Sequence, residues 1–275
     1  MSAEPTPFAQ VDDMPPQIRA LILGALERMA ASPEIQRVRR VAQAALDPRP
    51  GQRLLDVGSG VGEVARQLAA AVAPDGEVVA VDASAAAVAV ATDRHDGSAV
   101  TYAVGDITAL DFPDASFDGV RTERVLQHLA DPDAAVAELA RVTRPGGRVC
   151  LVDTDWTSVA GDGLPDDLVD AIWRAVPARQ HHPTMGRTLR GRLVRAGLAE
   201  VRCEPVPLWF TDPESASAVI PVFNKEIPRE AGIIPDELRD RWFAAVDAAA
   251  ARDEFLAVLT IWVAVGVTPA RTRPA

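Results

Sequence analysis

Leu54-Leu55-Asp56-Val57-Gly58-Ser59-Gly60-Val61-Gly62 reads as a short apolar strand, a glycine-rich turn and the opening of a helix. Glycines at 58, 60 and 62 let the backbone turn tightly and let a ligand come close, because a Cβ there would stand in the way. Dinucleotide-binding turns share this outline but place their third glycine three residues after the second. Here that position is Glu63, whose carboxylate would stand where a pyrophosphate has to sit. The turn therefore suits a ligand without phosphates.

Downstream, strands and helices alternate. Turn Pro74-Asp75-Gly76 leads into a strand over 77–82, a helix follows over 85–92, and further strands are expected at 100–104, 117–121 and 148–153, with a helix over 132–142 between the last two. Strands alternating with helices of this length imply a doubly wound α/β fold with a mostly parallel sheet. A helix over 189–196 closed by Gly197 precedes a sixth strand near 201–209. A helical stretch over 213–251 then separates it from a final strand, 255–267. Upstream, apolar residues recur at helical intervals between Gln17 and Leu46, and Ser32-Pro33-Glu34 marks the start of a second helix with Ser32 as N-cap. Residues 1–15 are Pro-rich, polar and expected to be mobile.

The turn is the first of four elements in order, and three more follow it. Asp82 ends the second strand, where a carboxylate can accept two hydrogen bonds from a ribose diol. Asp106, after the third strand, could accept from an adenine amino group while Ile107 packs the ring face. The fourth is the run Phe112–Val120, which leads into Arg121-Thr122-Glu123-Arg124-Val125-Leu126-Gln127-His128-Leu129.

With these in place, the chain resembles the class I S-adenosylmethionine-dependent methyltransferases, in particular the ubiquinone/menaquinone-biosynthesis-like small-molecule branch. The likeness runs from about Pro50 to Asp155 through LLDVGSGVG, VVAVDAS, VGDITALDFPDASFDGV, VLQHLADP and RPGGRVCLVD, with a weaker echo from Phe255. It implies a Rossmann-like seven-stranded sheet with a reversed last strand, and S-adenosyl-L-methionine across the carboxyl ends of the first strands. By that resemblance Gly58, Ser59 and Gly60 face the methionine part with Asp56 supporting the turn. Asp82 and Ala83 lie at the ribose, and Asp106 and Ile107 at the adenine. Thr122, Glu123 and Arg124 lie beside the methionine amine and sulfonium, and Arg37 reaches the methionine carboxylate from the N-terminal helix.

The chain is expected to form one methyltransferase domain over 1–275: an N-terminal helical cap (1–47), a cofactor-binding core (48–155) and a substrate-side half (156–275) with a helical lid insertion at about 211–252. Methyl transfer from a sulfonium needs an aligned nucleophile and, for some acceptors, a base. His128 and Asp155 are the catalytic candidates; against them, a histidine in QHL can simply pack, and a strand-end Asp often forms a turn. His181-His182 could belong to a lid or to a surface loop, and Arg187 could meet an acidic substrate or pair with an Asp or Glu. Trp156, Trp173, Trp209 and Phe210 could line an aromatic pocket or fill the core.

The net charge of −11 disfavours nucleic acid as substrate, and the clusters Arg37/Arg39/Arg40 and Arg187/Arg190/Arg192/Arg195 read as solvated helix faces. Cys150 and Cys203 supply neither a disulfide framework nor a metal spacing, so no metal is expected. No apolar run is long enough to span a membrane, and the first residues lack the basic start and apolar core of a secretory signal. A cytoplasmic monomer or homodimer acting on a hydrophobic small molecule, a metabolite or natural product, is the expectation. The alternative is a protein of the same fold that binds the same cofactor but catalyses another reaction, such as a cyclisation.

Overall fold

Alternate residues of the first strand, Arg53–Val57 (β1), enter two different apolar cores: Leu54 joins one, Leu55 and Val57 the other. A strand buried on both faces is what a parallel sheet between helical layers requires. The computed structural model describes residues 12–14, 16–178, 181–229 and 232–270. It shows a seven-stranded sheet in the order β3-β2-β1-β4-β5-β7-β6. β2 is Glu77–Asp82, β3 Val100–Val104, β4 Phe117–Glu123, β5 Thr143–Asp162, β6 Ala199–Phe210 and β7 Leu256–Val267. β1 to β5 pair in parallel, while β7 runs antiparallel between β5 and β6. The expected mostly parallel sheet with a reversed last strand is therefore present.

The chain leaves β1 toward β2 and β3 on one side and returns to β4 and β5 on the other. Strand order thus reverses between β1 and β4, and a crevice opens beyond their carboxyl ends. Helices that border it carry side-chain N-caps. Ser84 Oγ accepts the Ala87 N–H to start α4 (Ala85–Asp93), and Asp131 accepts the Ala134 N–H ahead of Pro132 to start α5 (Pro132–Val142). α1 (Pro16–Ala31) and α2 (Pro33–Leu46) precede the sheet, and Ile35, Val38, Ala42 and Leu46 form the buried stripe of α2. Ser32 occupies the N-cap of α2 but makes no side-chain capping bond. α3 (Glu63–Val72) follows the glycine turn, while α6 (Asp166–Ala178) and α7 (Met185–Arg195) follow β5.

Two expectations change in extent. β4 runs on to Glu123 and β5 spans 143–162, because β7 continues to pair with β5 past a bulge between Asp155 and Ala160. The stretch 213–251 is not one helix. It divides into α8 (Pro213–Ser217), a 3-10 turn Pro221–Phe223 and α9 (Asp236–Ala251). Pro221, Pro228 and Pro235 cannot donate to a helix interior, so the chain restarts there. Of the Pro-rich opening, residues 1–11 and Pro15 lie outside the described residues. No helix among those described is long and apolar enough to cross a membrane.

Candidate active site

The glycine turn is fastened to the ends of β1 and β2. Gly58 N–H and Ser59 N–H both donate to the Val81 carbonyl, at 2.7 and 3.1 Å. Asp82 braces the turn from below, with Oδ2 accepting Gly60 N–H at 2.7 Å and Oδ1 accepting Ser84 N–H at 2.9 Å. Burial pushes the Asp82 carboxyl up from its ordinary value against these hydrogen bonds. Each carboxylate oxygen keeps a second lone pair for a hydroxyl donor, so the brace and a ribose contact are compatible. Gly58 and Gly60 both have positive φ. A Cβ on Gly58 would stand 2.1 Å from Val125 Cγ2, whereas one on Gly60 meets nothing nearer than Leu26 at 3.8 Å. The first glycine makes room for the Val125 side chain just after β4, and the second lies at ordinary contact distance from Leu26.

Below the turn lies a buried ionic network. Arg121 of β4 pairs with Asp56 of β1 at 3.7 Å and with Glu123 at 2.6 Å. Arg39 of α2 bridges Glu63 at the start of α3 (3.1 Å) and Glu123 (3.3 Å). Gln36 adds a bond to Glu63 at 2.9 Å. Burial would raise the Glu123 carboxyl, but Arg39, Arg121 and Arg124 outweigh it and hold the group at about 2. For Asp56 burial prevails, and its carboxyl is raised despite Arg121. Arg124 follows in a left-handed backbone conformation (φ 56°), with Met29 of α1 against its guanidinium.

Four polar atoms around this end of the sheet are buried without a hydrogen-bond partner: Asp56 Oδ2, Ser59 Oγ, Thr122 Oγ1 and Arg124 Nε. Buried polar groups are rarely left so. Their positions at the ends of β1 and β4 fit an amino-acid-like group bearing both donors and acceptors, as the methionine part of S-adenosylmethionine does. Ala83 is exposed beside Asp82, and Ile107 is buried in the core. Asp106 is exposed, with Oδ1 engaged by Thr108 N–H and Oγ at 2.8 Å each. Bound there, the cofactor would supply an electrophilic methyl group on a positive sulfur.

Arg37 does not join this site. It pairs with Glu34, reaches the Pro207 carbonyl and stacks 4.8 Å over Trp209, all toward β6 at the far edge of the sheet. Residues 37 and 39 are about 200° apart around a helix, so only one can face the glycine turn. That one is Arg39, which is a buried brace and not part of a solvated face.

His128 lies in the 3-10 turn Leu126–His128 after β4. Burial, then the nearby Arg124 and His181, hold its imidazole down at about 4, so the ring is neutral near pH 7. Its Nε2 stands 3.1 Å from Gln127 Nε2, and Gln127 Oε1 accepts Trp156 Nε1–H at 2.8 Å. His182 Nε2–H donates to the Leu129 carbonyl at 2.9 Å, and Trp156 N–H donates to the Pro183 carbonyl. The His181-His182 loop is thereby tied to the 3-10 turn. Asp155 is engaged by Arg187 Nε at 2.5 Å and by Thr157 N–H and Oγ at 3.1 and 2.7 Å. It holds Arg187 and carries none of the features of a free base.

The four aromatic residues do not meet in one pocket. Trp156 is at the 3-10 turn, and Trp173 packs edge-on to Trp242 and Phe223 under α9. Trp209 is exposed beneath Arg37, and Phe210 is core. Among the described residues, no group of three or more His, Cys, Asp or Glu could hold a metal ion. Arg39, Gln127 and Val125 carry much of the site's architecture, yet nothing in their sequence spacing marks them out.

Residues 55–151 match the family described as Methyltransferase domain. Over 87% of this chain, 36% of residues are identical to 69% of the uncharacterized 37.1 kDa protein in transposon TN4556 of Streptomyces fradiae. An uncharacterized methyltransferase of Schizosaccharomyces pombe is 34% identical over 64% of this chain and 67% of its own length. The ubiquinone/menaquinone biosynthesis C-methyltransferase UbiE of Cupriavidus metallidurans is 36% identical over 41% of this chain and 46% of its own. Among solved structures, the YcgJ protein of Bacillus subtilis superposes with a TM-score of 0.58 at 20% identity, over 86% of this chain and 99% of that one. Phosphoethanolamine N-methyltransferase 2 of Haemonchus contortus, in complex with S-adenosylhomocysteine, gives 0.56 at 23% identity over 85% and 53%. With the glycine turn, the acidic end of β2 and the reversed β7, these matches make the chain a member of the class I S-adenosylmethionine-dependent methyltransferases.

Proposed function

We propose that this enzyme transfers the methyl group of S-adenosylmethionine to an O, N or C nucleophile of a hydrophobic small molecule, a metabolite or natural product. The observation that carries this reading is the cover over the crevice. Asp12 accepts Ser84 Oγ–H at 2.6 Å and Ala85 N–H at 2.7 Å at the start of α4. Glu27 pairs with Arg94 at 2.5 Å, Leu26 lies over Gly60, and Met29 lies against Arg124. A crevice closed by α1 admits a small acceptor more readily than a polymer, and it excludes water from the sulfonium. The net charge of −11 further disfavours nucleic acid.

Asp82, Ala83, Asp106 and Ile107 would hold the nucleoside, and Asp56, Gly58, Ser59, Gly60, Thr122, Glu123 and Arg124 would surround the methionine part. The test is incubation with S-adenosylmethionine labelled in its methyl group, together with a cell extract separated into small-molecule, protein and RNA fractions. Label should appear in organic-extractable small molecules. Label confined to RNA or protein would contradict the reading.

A further inference from the structure

Gln127 is fixed at each of its polar side-chain atoms and at its backbone nitrogen. Its N–H donates to Asp153 Oδ2 at 3.1 Å, and Oε1 accepts Trp156 Nε1–H at 2.8 Å. Nε2 donates to the Arg124 carbonyl at 3.4 Å and stands 3.1 Å from His128 Nε2. An indole nitrogen can only donate, so Trp156 decides which end of the Gln127 amide is oxygen. The remaining NH2 can only donate, so His128 Nε2 has to accept. A neutral imidazole has one donor and one acceptor nitrogen, which leaves the proton on Nδ1.

We propose that Gln127 is a positioning residue that locks His128 in the Nδ1–H tautomer, so that the basic ring nitrogen, Nε2, is engaged by Gln127 and His128 is not the base that deprotonates the acceptor. Protonation at Nε2 would set an N–H against the Gln127 NH2, donor against donor, in a buried setting. Among the described residues, Arg124, just after β4, and His181, in the loop after α6, are the charged or titratable groups that act on the ring, and neither favours a second positive charge. The ring's low affinity for a proton agrees with this but is not needed to place the hydrogen.

Only the catalytic consequence rests on the methyl-transfer reading; the tautomer itself does not. Long-range 1H–15N spectra of the full chain with labelled histidine, assigned with His128→Asn, read the tautomer directly. The wild-type ring should show a protonated-type shift at Nδ1 and a lone-pair shift at Nε2 at pH 7. In Gln127→Glu the carboxylate can only accept, so the pattern should invert and the His128 titration should move upward in pH. Trp156→Phe, which frees the amide to turn, should weaken the preference. A wild-type ring protonated at Nε2, or a Gln127→Glu ring with unchanged tautomer, would overturn the proposal. If Gln127→Glu does not fold, the wild-type spectrum still decides. S-adenosylhomocysteine titrated into the same sample checks the cofactor separately, so failure there leaves the tautomer result standing.

Discussion

Asp82, half-buried at the end of β2, and Asp153, fully buried within β5, are both acids of the central sheet, but their surroundings give them different work. Asp82 holds Gly60 and Ser84 N–H groups and is the candidate ribose ligand. Asp82→Ala should lower affinity for S-adenosylhomocysteine by about 2–4 kcal/mol, since charge-assisted hydrogen bonds are lost and the turn is released. Calorimetric titration measures this, and an unchanged dissociation constant would remove Asp82 from the cofactor site. Asp153 accepts Gln127 and Thr154 N–H groups, yet burial raises its carboxyl from 3.8 to about 7. The folded chain therefore holds this proton more tightly than the unfolded chain. The associated stability is fully present below about pH 4 and is lost as pH rises through about 7. Asp153→Asn, which cannot ionise, should gain stability relative to wild type between pH 5 and pH 8, by on the order of 2–4 kcal/mol. Urea unfolding at both pH values checks it, and a difference that does not change with pH would contradict the burial argument. Asp82 could be read from its place after the glycine turn. The role of Arg39 could not, because adjacent arginines on α2 look alike until the buried stripe fixes which face is turned inward.

The elements around the crevice are joined by charge as well as by apolar packing. Arg39 ties α2 to the start of α3 and to the end of β4 through two carboxylates. Removing one member of a buried pair leaves the others uncompensated, so Arg39→Ala should cost about 3 kcal/mol. Chemical denaturation measures the cost, and a change below about 0.5 kcal/mol would show the network to be dispensable. Gly58→Ala should cost about 2–4 kcal/mol, combining a left-handed backbone with the collision at Val125. Val125→Ala in the same chain should recover only the collision part, and full recovery would show that the backbone conformation carries no penalty. β1 and β2 were legible at the element scale, as were α4 and α5, because short apolar runs bounded by turn residues are local signals; the capping bond expected of Ser32 is not made. The length of β5 was not, since it depends on pairing with β7, about a hundred residues away. Nor was the division of 213–251, where helical spacing continues across prolines that interrupt the helix itself.

At the scale of the whole molecule, two apolar cores lie on the two faces of one sheet and share its strands. We infer that the chain over 1–275 unfolds as a single cooperative unit, the cap, core and substrate-side half being layers of one domain. Scanning calorimetry should show one transition, shifted upward by S-adenosylhomocysteine through binding linkage; two resolved transitions would contradict it. The ordered motifs made the fold and the cofactor legible. The inward-facing side chains after β4 were not, because their partners Trp156 and His181 come from β5 and the loop beyond α6. The central claim is that the glycine turn, Asp82 and the end of β4 form a site for S-adenosylmethionine and not for a phosphate-bearing dinucleotide. Isothermal titration of the full chain with S-adenosylhomocysteine and, separately, with NAD(P)H tests it most directly. Saturable heat with the first and none with the second is the expected result; binding of NAD(P)H with no response to S-adenosylhomocysteine would contradict the account.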